Sequence, residues 1–284
     1  MSSSGRSLPK ACVIGWPVAH SRSPLIHRFW LDELNIFGTY ELAAVSPEAF
    51  PAFLKNLSEH GFVGANVTLP HKERAFLLCD ERLPAAQRLK AVNTVWIERG
   101  KLYGDNTDVA GFLSALDQEA PGWSSRPASA LIIGAGGAAR AIVFALLSRG
   151  FPRIYLLNRS PERAKKLAED FGEAIKLVDS TDLPVVMREA EVLVNTTSLG
   201  MTGQPPLNLD LSPLPATALV HDIVYAPLKT DLIKGAEARG LKVVPGLGML
   251  LHQAVPGFAR WFGRTPEVTE ALRHRIEADI AAGP

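Results

Sequence analysis

Between residues 130 and 140 an apolar run, Ala130-Leu-Ile-Ile133, breaks into Gly134-Ala-Gly-Gly-Ala-Ala139 and continues as alanine-rich, helix-forming sequence from Arg140. Strand, glycine turn and helix in that order constrain the chain more than any other stretch, because this is the turn on which a dinucleotide's pyrophosphate rests. Gly134, Gly136 and Ala139 occupy the three fingerprint positions. The first permits the tight turn, the second lets phosphate approach the backbone, and the third keeps helix and strand close. The helix start then offers unpaired N–H groups and the positive end of the helix dipole.

The next apolar run, Arg153-Ile-Tyr-Leu-Leu-Asn158, ends in Asn158-Arg159-Ser160, with Arg163 one helical turn further on. A site for NAD usually places an acidic residue here for the ribose hydroxyls, whereas a basic residue accommodates a 2′-phosphate. The planar fork of arginine can bind phosphate with two hydrogen bonds. The arginines also read as a solvated pair near a helix start, but glycine turn and arginines together select NADP as the expected cofactor.

Six strand-like runs follow residue 129, at 130–133, 153–158, 174–178, 191–195, 219–224 and 242–244. Helix-period stretches lie between several of them, such as Ala138–Arg149 and Ser160–Phe171. This alternation predicts a doubly wound parallel sheet of the Rossmann type. Ahead of residue 108 the pattern is different. Cys12–Gly15, Tyr40–Val45 and Ala65–Thr68 read as strands, and Pro24–Asn35 and Pro47–His60 as helices. Val92–Glu98 and Lys101–Asp105 read as a hairpin about Arg99-Gly100. Two helical patterns follow Pro245-Gly246, and Thr265-Pro266 reads as the cap and first turn of the last one. The expected fold class is therefore α/β in two domains: residues 1–108 with 247–284 as a substrate domain, and 109–246 as the dinucleotide domain.

A chain of 284 residues with 47% apolar content can bury two cores. Its net charge of +1 speaks against a nucleic-acid partner. No apolar run reaches the roughly 18 residues that a membrane span needs, and the N-terminus lacks the apolar stretch of a signal peptide. Cys12 and Cys79 follow no metal-ligand spacing, and the seven histidines form no metal motif. The expectation is a cytoplasmic protein without a metal, monomeric or homodimeric, acting on a small molecule.

Four polar clusters in the first half fall where strands end, which is where α/β proteins build sites. They are Ser21-Arg-Ser-Pro24, Asn66-Val-Thr-Leu-Pro-His-Lys72, Ala91-Val-Asn-Thr94 and Asp105-Asn-Thr-Asp108. Each has an ordinary structural explanation: Ser23 as a helix cap, Lys72 as a solvated lysine, Asn93 as a turn former, Asp108 as a cap. Strand alternation puts Asn66 and Thr68 on one face, and a lysine opening a helix at Lys72 works against the dipole. In the second half, Asn195-Thr-Thr-Ser-Leu-Gly-Met201 follows a strand at its carboxyl end, and Pro245-Gly-Leu-Gly-Met249 leads into a helix that carries Gln253.

Jointly and in this order, these motifs with Gly134-Ala-Gly-Gly-Ala-Ala139 and Asn158-Arg159-Ser160 resemble the shikimate dehydrogenase family, over nearly the whole chain from Val13 to about Ile280. The resemblance implies catalysis by Lys72 and Asp108. It implies that Ser21, Ser23 and Tyr225 hold a substrate carboxylate, and that Asn66, Thr68, Asn93 and Gln253 hold ring hydroxyls. It implies an NADP site of Gly134, Ala135, Gly136, Gly137, Ala138 and Ala139, with Asn158, Arg159, Ser160 and Arg163 around the 2′-phosphate. Thr196, Thr197, Ser198, Met201 and Gly246 would line the nicotinamide end. The implied reaction is reversible NADPH-dependent reduction of 3-dehydroshikimate to shikimate. A lysine acts as base only where burial or a cation disfavours its charge, and a neighbouring carboxylate does the opposite. Base and polarising donor therefore both stand for Lys72. The chain departs from the family pattern at Val109, Ser160 and Ala226, where glycine, threonine and asparagine are usual. Quinate-using branches with mixed NAD and NADP use, and a non-catalytic nucleotide-binding sensor, are the rival readings.

Overall fold

A computed structural model describes residues 8–283. Its chain divides into two compact units, one built from the described residues up to Thr107 with Gln253–Ile276, the other from Asp108–His252 with Glu277–Gly283.

The first unit runs β1 (Lys10–Gly15), α1 (Ser23–Glu33), β2 (Thr39–Ala44), α2 (Phe50–Lys55), β3 (Phe62–Val67), α3 (Lys72–Leu78), β4 (Glu81–Arg82), α4 (Pro84–Leu89), β5 (Thr94–Glu98) and β6 (Lys101–Asp105). The strands form one mixed sheet in the order β2-β1-β3-β5-β6-β4. β1 pairs parallel with β2 and β3, while β5 runs antiparallel to both β3 and β6. The hairpin turns through Arg99 and Gly100, both at positive φ, the geometry that matches the twist of a two-residue connection. Cys12, Ile14, Phe50, Leu54, Val67 and Val95 meet in its core. The expected helix over Pro47–His60 shrinks to Phe50–Lys55, because the chain then turns back so that Phe62 N–H reaches the Leu57 carbonyl at 3.1 Å and enters β3. Lys72–Leu78 and Pro84–Leu89 are short helices that the sequence pattern did not mark in full.

The second unit opens with α5 (Asp108–Glu119) and continues β7 (Ser129–Ile133), α6 (Gly137–Ser148), β8 (Arg153–Leu157), α7 (Pro161–Phe171), β9 (Ile175–Leu177), α8 (Leu183–Glu189), β10 (Val192–Asn195), β11 (Leu219–Asp222), α9 (Asp231–Ala238), β12 (Lys242–Val244) and α10 (Leu247–His252). Every strand pair is parallel, in the order β12-β11-β10-β7-β8-β9. Counted from β7, that is 6-5-4-1-2-3, the doubly wound order. β7 and β10 are buried along their whole length, as parallel strands covered by helices on both faces must be. Residues 247–252, grouped with the substrate domain from sequence, form α10 and pack on α5.

The chain then forms α11 (Ala254–Phe262), which returns to the first unit, and α12 (Glu270–Ala282). In α11 the Trp261 indole donates to the Val95 carbonyl at 2.9 Å. The last helix does not start at Thr265-Pro266. The Trp30 indole donates to the Glu267 carbonyl at 2.9 Å, which holds that stretch out of helical geometry, and Thr269 caps α12 instead by accepting from Leu272 N–H at 3.3 Å. No helix among the described residues is long and apolar enough to cross a membrane.

Candidate active site

In the first unit, Ser21, Ser23, Asn66, Thr68, Lys72 and Asn93 all lie in or beside the loops that follow β1 and β3 or precede β5. Ser23 does not cap α1: the N-cap position is Arg22, whose side chain makes no capping bond. Instead Ser23 N–H donates to the Ser21 hydroxyl at 3.3 Å, fixing the turn before the helix. The Trp16 N–H to Leu69 carbonyl bond, 3.1 Å, ties this loop to the one after β3. Lys72 opens α3, and its carbonyl accepts from Val92 N–H at 2.9 Å, which anchors the helix start beside Asn93. Gln253 stands at the N-cap position of α11, half-buried.

Beneath these residues runs a buried hydrogen-bonded chain. Tyr40, fully buried on β2, donates its phenol to Asn66 Oδ1 at 2.6 Å. Asn66 Nδ2 donates to the Asn93 carbonyl at 3.3 Å and to Thr94 Oγ1 at 3.2 Å. A carbonyl can only accept, so this pairing settles the amide orientation and makes Tyr40 the donor. Asn93 Oδ1 in turn accepts from Thr94 Oγ1, Thr107 N–H and Thr107 Oγ1, at 3.1, 2.8 and 3.1 Å. Burial pushes the Tyr40 phenol well above its ordinary range, with the Cys12 thiol adding to the shift and the Ser23 hydroxyl opposing it. Tyr40 escaped the sequence reading, and Thr94 and Thr107 stood inside its motifs without a role. Their only signal was position, a hydroxyl at a buried place in or beside a strand.

The His27 imidazole stacks on the Tyr40 ring at 4.0 Å, and neither of its nitrogens has a hydrogen-bond partner. Burial holds it neutral, at about 3, with the Asn66 amide opposing the shift.

In the second unit the glycine turn meets the expectation closely. Gly134 has φ +110, and a Cβ there would stand 2.5 Å from Thr196 Oγ1, so only glycine fits. At Gly136 and Gly137 a Cβ would meet no protein atom within 4 Å. Their lack of side chains answers to no packing demand of the fold and leaves the space above the α6 N-terminus open for phosphate. Ala135 and Ala138 are half-buried, and Ala139 is fully buried. Asn158 Nδ2 donates to the Ser160 carbonyl at 2.8 Å and shapes the turn after β8. Arg159 and Arg163 beside it are exposed, and among the described residues neither forms an ion pair. Such a pair of uncommitted guanidinium groups suits a phosphate.

β7 and β10 are neighbours, with Ile133 opposite Asn195. Their carboxyl ends mark the point where the sheet reverses its winding, the place where open α/β sheets bind ligands. Thr196 is locked there, its N–H and Oγ1 both donating to the Ile133 carbonyl at 2.8 Å. Thr197 is held by Asn195 Oδ1, which accepts from its N–H at 3.0 Å and from its hydroxyl at 2.7 Å. Ser198 and Met201 are exposed on the same turn. Gly246 lies where a Cβ would meet the Ile223 carbonyl oxygen at 2.5 Å and that of Val224 at 2.7 Å. Tyr225 is half-buried on the segment next to it, and Asp108 supplies the acidic first turn of α5.

One buried carboxylate in this region was missed from sequence. Asp222, the last residue of β11, accepts from Asn195 Nδ2 at 2.9 Å, Val224 N–H at 3.0 Å and Thr230 Oγ1 at 2.7 Å. Burial raises its carboxyl above the ordinary value, and the bonds from Thr230, Val224 and Asn195 oppose this. An acidic residue ending an apolar strand was the available signal.

Comparison with known proteins identifies the family. Family models match in three stretches: the shikimate dehydrogenase substrate binding domain over residues 13–95, shikimate/quinate 5-dehydrogenase over 117–201, and the shikimate 5′-dehydrogenase C-terminal domain over 246–274. The chain is 59% identical over 272 residues to a shikimate dehydrogenase (NADP(+)) of Methylocella silvestris, covering 96% of this chain and 97% of that protein. Against a shikimate dehydrogenase (NADP(+)) of Rhodopseudomonas palustris it is 55% identical over 273 residues, covering 95% and 97%. The structure of shikimate 5-dehydrogenase from Thermus thermophilus in complex with NADP(H) and shikimate has a TM-score of 0.84 at 40% identity, covering 94% of this chain and all of that one. Quinate dehydrogenase from Corynebacterium glutamicum in complex with NAD has a TM-score of 0.87 at 30% identity, covering 96% and 100%. Identity of this extent over nearly the full length, on a fold whose glycine turn and strand order are those of a dinucleotide site, places the chain in the shikimate dehydrogenase family.

Proposed function

We propose that this protein is an NADP-dependent oxidoreductase that interconverts 3-dehydroshikimate and shikimate, a step toward aromatic amino acids. The observation that carries the cofactor reading is the open cradle at Gly136 and Gly137, followed one strand later by the unpaired Arg159 and Arg163. The substrate reading rests on the polar loops of the first unit and on the relatives named for shikimate.

Bound NADPH supplies the hydride in this chemistry. Lys72 and Asp108 are the proposed catalytic pair: protonated Lys72 stabilises and protonates the developing alkoxide, and Asp108 orients the lysine and a hydroxyl. Ser21, Ser23 and Tyr225 are assigned to the substrate carboxylate, a hydroxyl cradle without an arginine fork. Thr68, Asn93 and Gln253 are assigned to ring hydroxyls. Asn66 has both amide hydrogens committed to Asn93 and Thr94, so its remaining capacity is an Oδ1 lone pair that accepts from a ring hydroxyl. The reading also places the enzyme in the cytoplasm as a monomer or homodimer.

Initial rates at 340 nm, crossing shikimate and quinate with NADP and NAD, test the proposal. The expected result is a strong preference for shikimate with NADP. Preference for quinate or NAD moves the protein to a sister branch. Folded protein that binds NADP yet turns over none of the four pairs overturns the enzymatic reading.

A further inference from the structure

We infer that Asp222 is a positioning residue whose buried carboxylate holds the Thr196–Met201 turn, the Tyr225 segment and the Gly246 turn in the arrangement that binds nicotinamide and substrate. The roles of those three segments rest on the function proposed above; the coupling among them is read from hydrogen bonds.

The connections radiate from the two carboxylate oxygens. Oδ1 accepts from Asn195 Nδ2 and from Val224 N–H. Through Asn195 it reaches the whole cofactor turn. The same amide donates to the Leu199 carbonyl at 3.2 Å, and its oxygen holds the Thr197 N–H and hydroxyl. Through Val224 it fixes the backbone against which Gly246 packs with no room for a Cβ and from which Tyr225 projects. Oδ2 accepts from the Thr230 hydroxyl, which caps α9 by accepting from Ile233 N–H at 3.3 Å. Two backbone bonds close the ring: Ile223 N–H to the Asn195 carbonyl at 3.1 Å, and Thr202 N–H to the Ala226 carbonyl at 2.8 Å.

The chemistry selects a carboxylate. All three partners present hydrogens, and an ionised aspartate accepts on both oxygens and donates nothing. An asparagine would present N–H to Thr230, whose hydroxyl hydrogen would then lose its acceptor. A fully buried charge is costly to keep unless every bond is made, so loss of any one partner lets the turns move.

The test uses Asp222→Asn, Thr230→Val and Thr230→Ser in the full chain. Each variant is checked for folding by circular dichroism, then assayed for KM and kcat with shikimate and NADP and for NADPH affinity by fluorescence titration. The expected result for Asp222→Asn is a rise of about tenfold in KM for both ligands, the scale of one mispaired buried hydrogen bond. The ratio of KM for NAD to KM for NADP stays unchanged, because Arg159 lies on a different strand end. Thr230→Val shifts both KM values the same way, and Thr230→Ser, which keeps the hydroxyl, recovers most of that loss. A role in stability alone predicts a lower melting temperature with KM values within twofold of the parent, and that result overturns the inference. If Asp222→Asn does not fold, the Thr230 pair decides: equal KM values for valine and serine overturn it. If the parent enzyme proves inactive on shikimate, the functional reading fails by itself, and NADPH affinities that do not differ between parent and variants refute the inference separately.

Discussion

The two units keep polar networks under their strand ends, and the networks are built on opposite principles. In the first, Tyr40, Asn66, Thr94, Asn93 and Thr107 are neutral groups linked through side chain and backbone into a chain of hydrogen bonds. In the second, a single acceptor-only carboxylate, Asp222, gathers three donors from three segments. A chain of neutral groups loses one link when one member is removed. A hub loses its centre, and every segment tied to it is released. The first arrangement suits a rigid floor beneath groups that recognise an uncharged ring. The second suits several turns that must be set together.

Substitutions separate the two. The largest expected effect is at Lys72. Lys72→Ala should lower kcat by about a thousandfold, the usual scale of a general acid or base, while substrate binding is largely retained. A kcat near that of the parent would sink the catalytic assignment. Next is the cofactor side: Arg159→Ala should raise KM for NADP by roughly tenfold or more, as loss of a charge-assisted bond does, and leave KM for NAD nearly unchanged. Equal changes for both nucleotides would refute the 2′-phosphate role.

Tyr40→Phe breaks the neutral chain at its first link and leaves the buried Asn66 oxygen without a donor. It should cost about 1–3 kcal/mol of stability and raise KM for shikimate with KM for NADP unmoved. If KM for NADP moves as much, the division of labour between the networks is wrong.

The last expected effect is graded and appears with pH. In each unit a buried histidine is held neutral: His27, held by burial at about 3, and His221, held by burial at about 4, with its Nδ1 paired to the Val244 carbonyl at 2.7 Å. Unfolding frees both to take up protons below their ordinary value near 6.5. The stability they allow at neutral pH is therefore lost as the pH falls from about 6.5 toward those lower values, at about 1.4 kcal/mol per pH unit for each histidine. Asp105 and Asp222, whose carboxyls burial raises, work the other way at lower pH. Urea unfolding at pH 7, 6 and 5 measures the slope, and a flat profile would contradict neutral buried imidazoles.

Most of the second unit was legible because parallel strands buried on both faces leave continuous apolar runs, and because a phosphate turn needs glycines that nothing else explains. Strands at 130–133, 153–158 and 242–244 fall within a residue of those observed. The first unit was less legible where local signals compete with distant contacts. Thr265-Pro266 has good capping chemistry, yet the Trp30 indole, more than 230 residues away in sequence, claims the backbone there. Ser23 looks like a cap and is not one.

The sequence by itself determined the α/β class, the dinucleotide turn, and the residue types offered for binding and proton transfer. All of these depend on local pattern and on side-chain chemistry. The tertiary structure alone decided which polar groups are spent on one another. Hydrogen-bond partners such as Tyr40 and Asn66, or Asn195 and Asp222, are 26 and 27 residues apart. They come together only when the strands of a sheet align, β2 and β3 across the intervening β1 and β10 directly beside β11, and no periodicity in a single strand encodes what another will present.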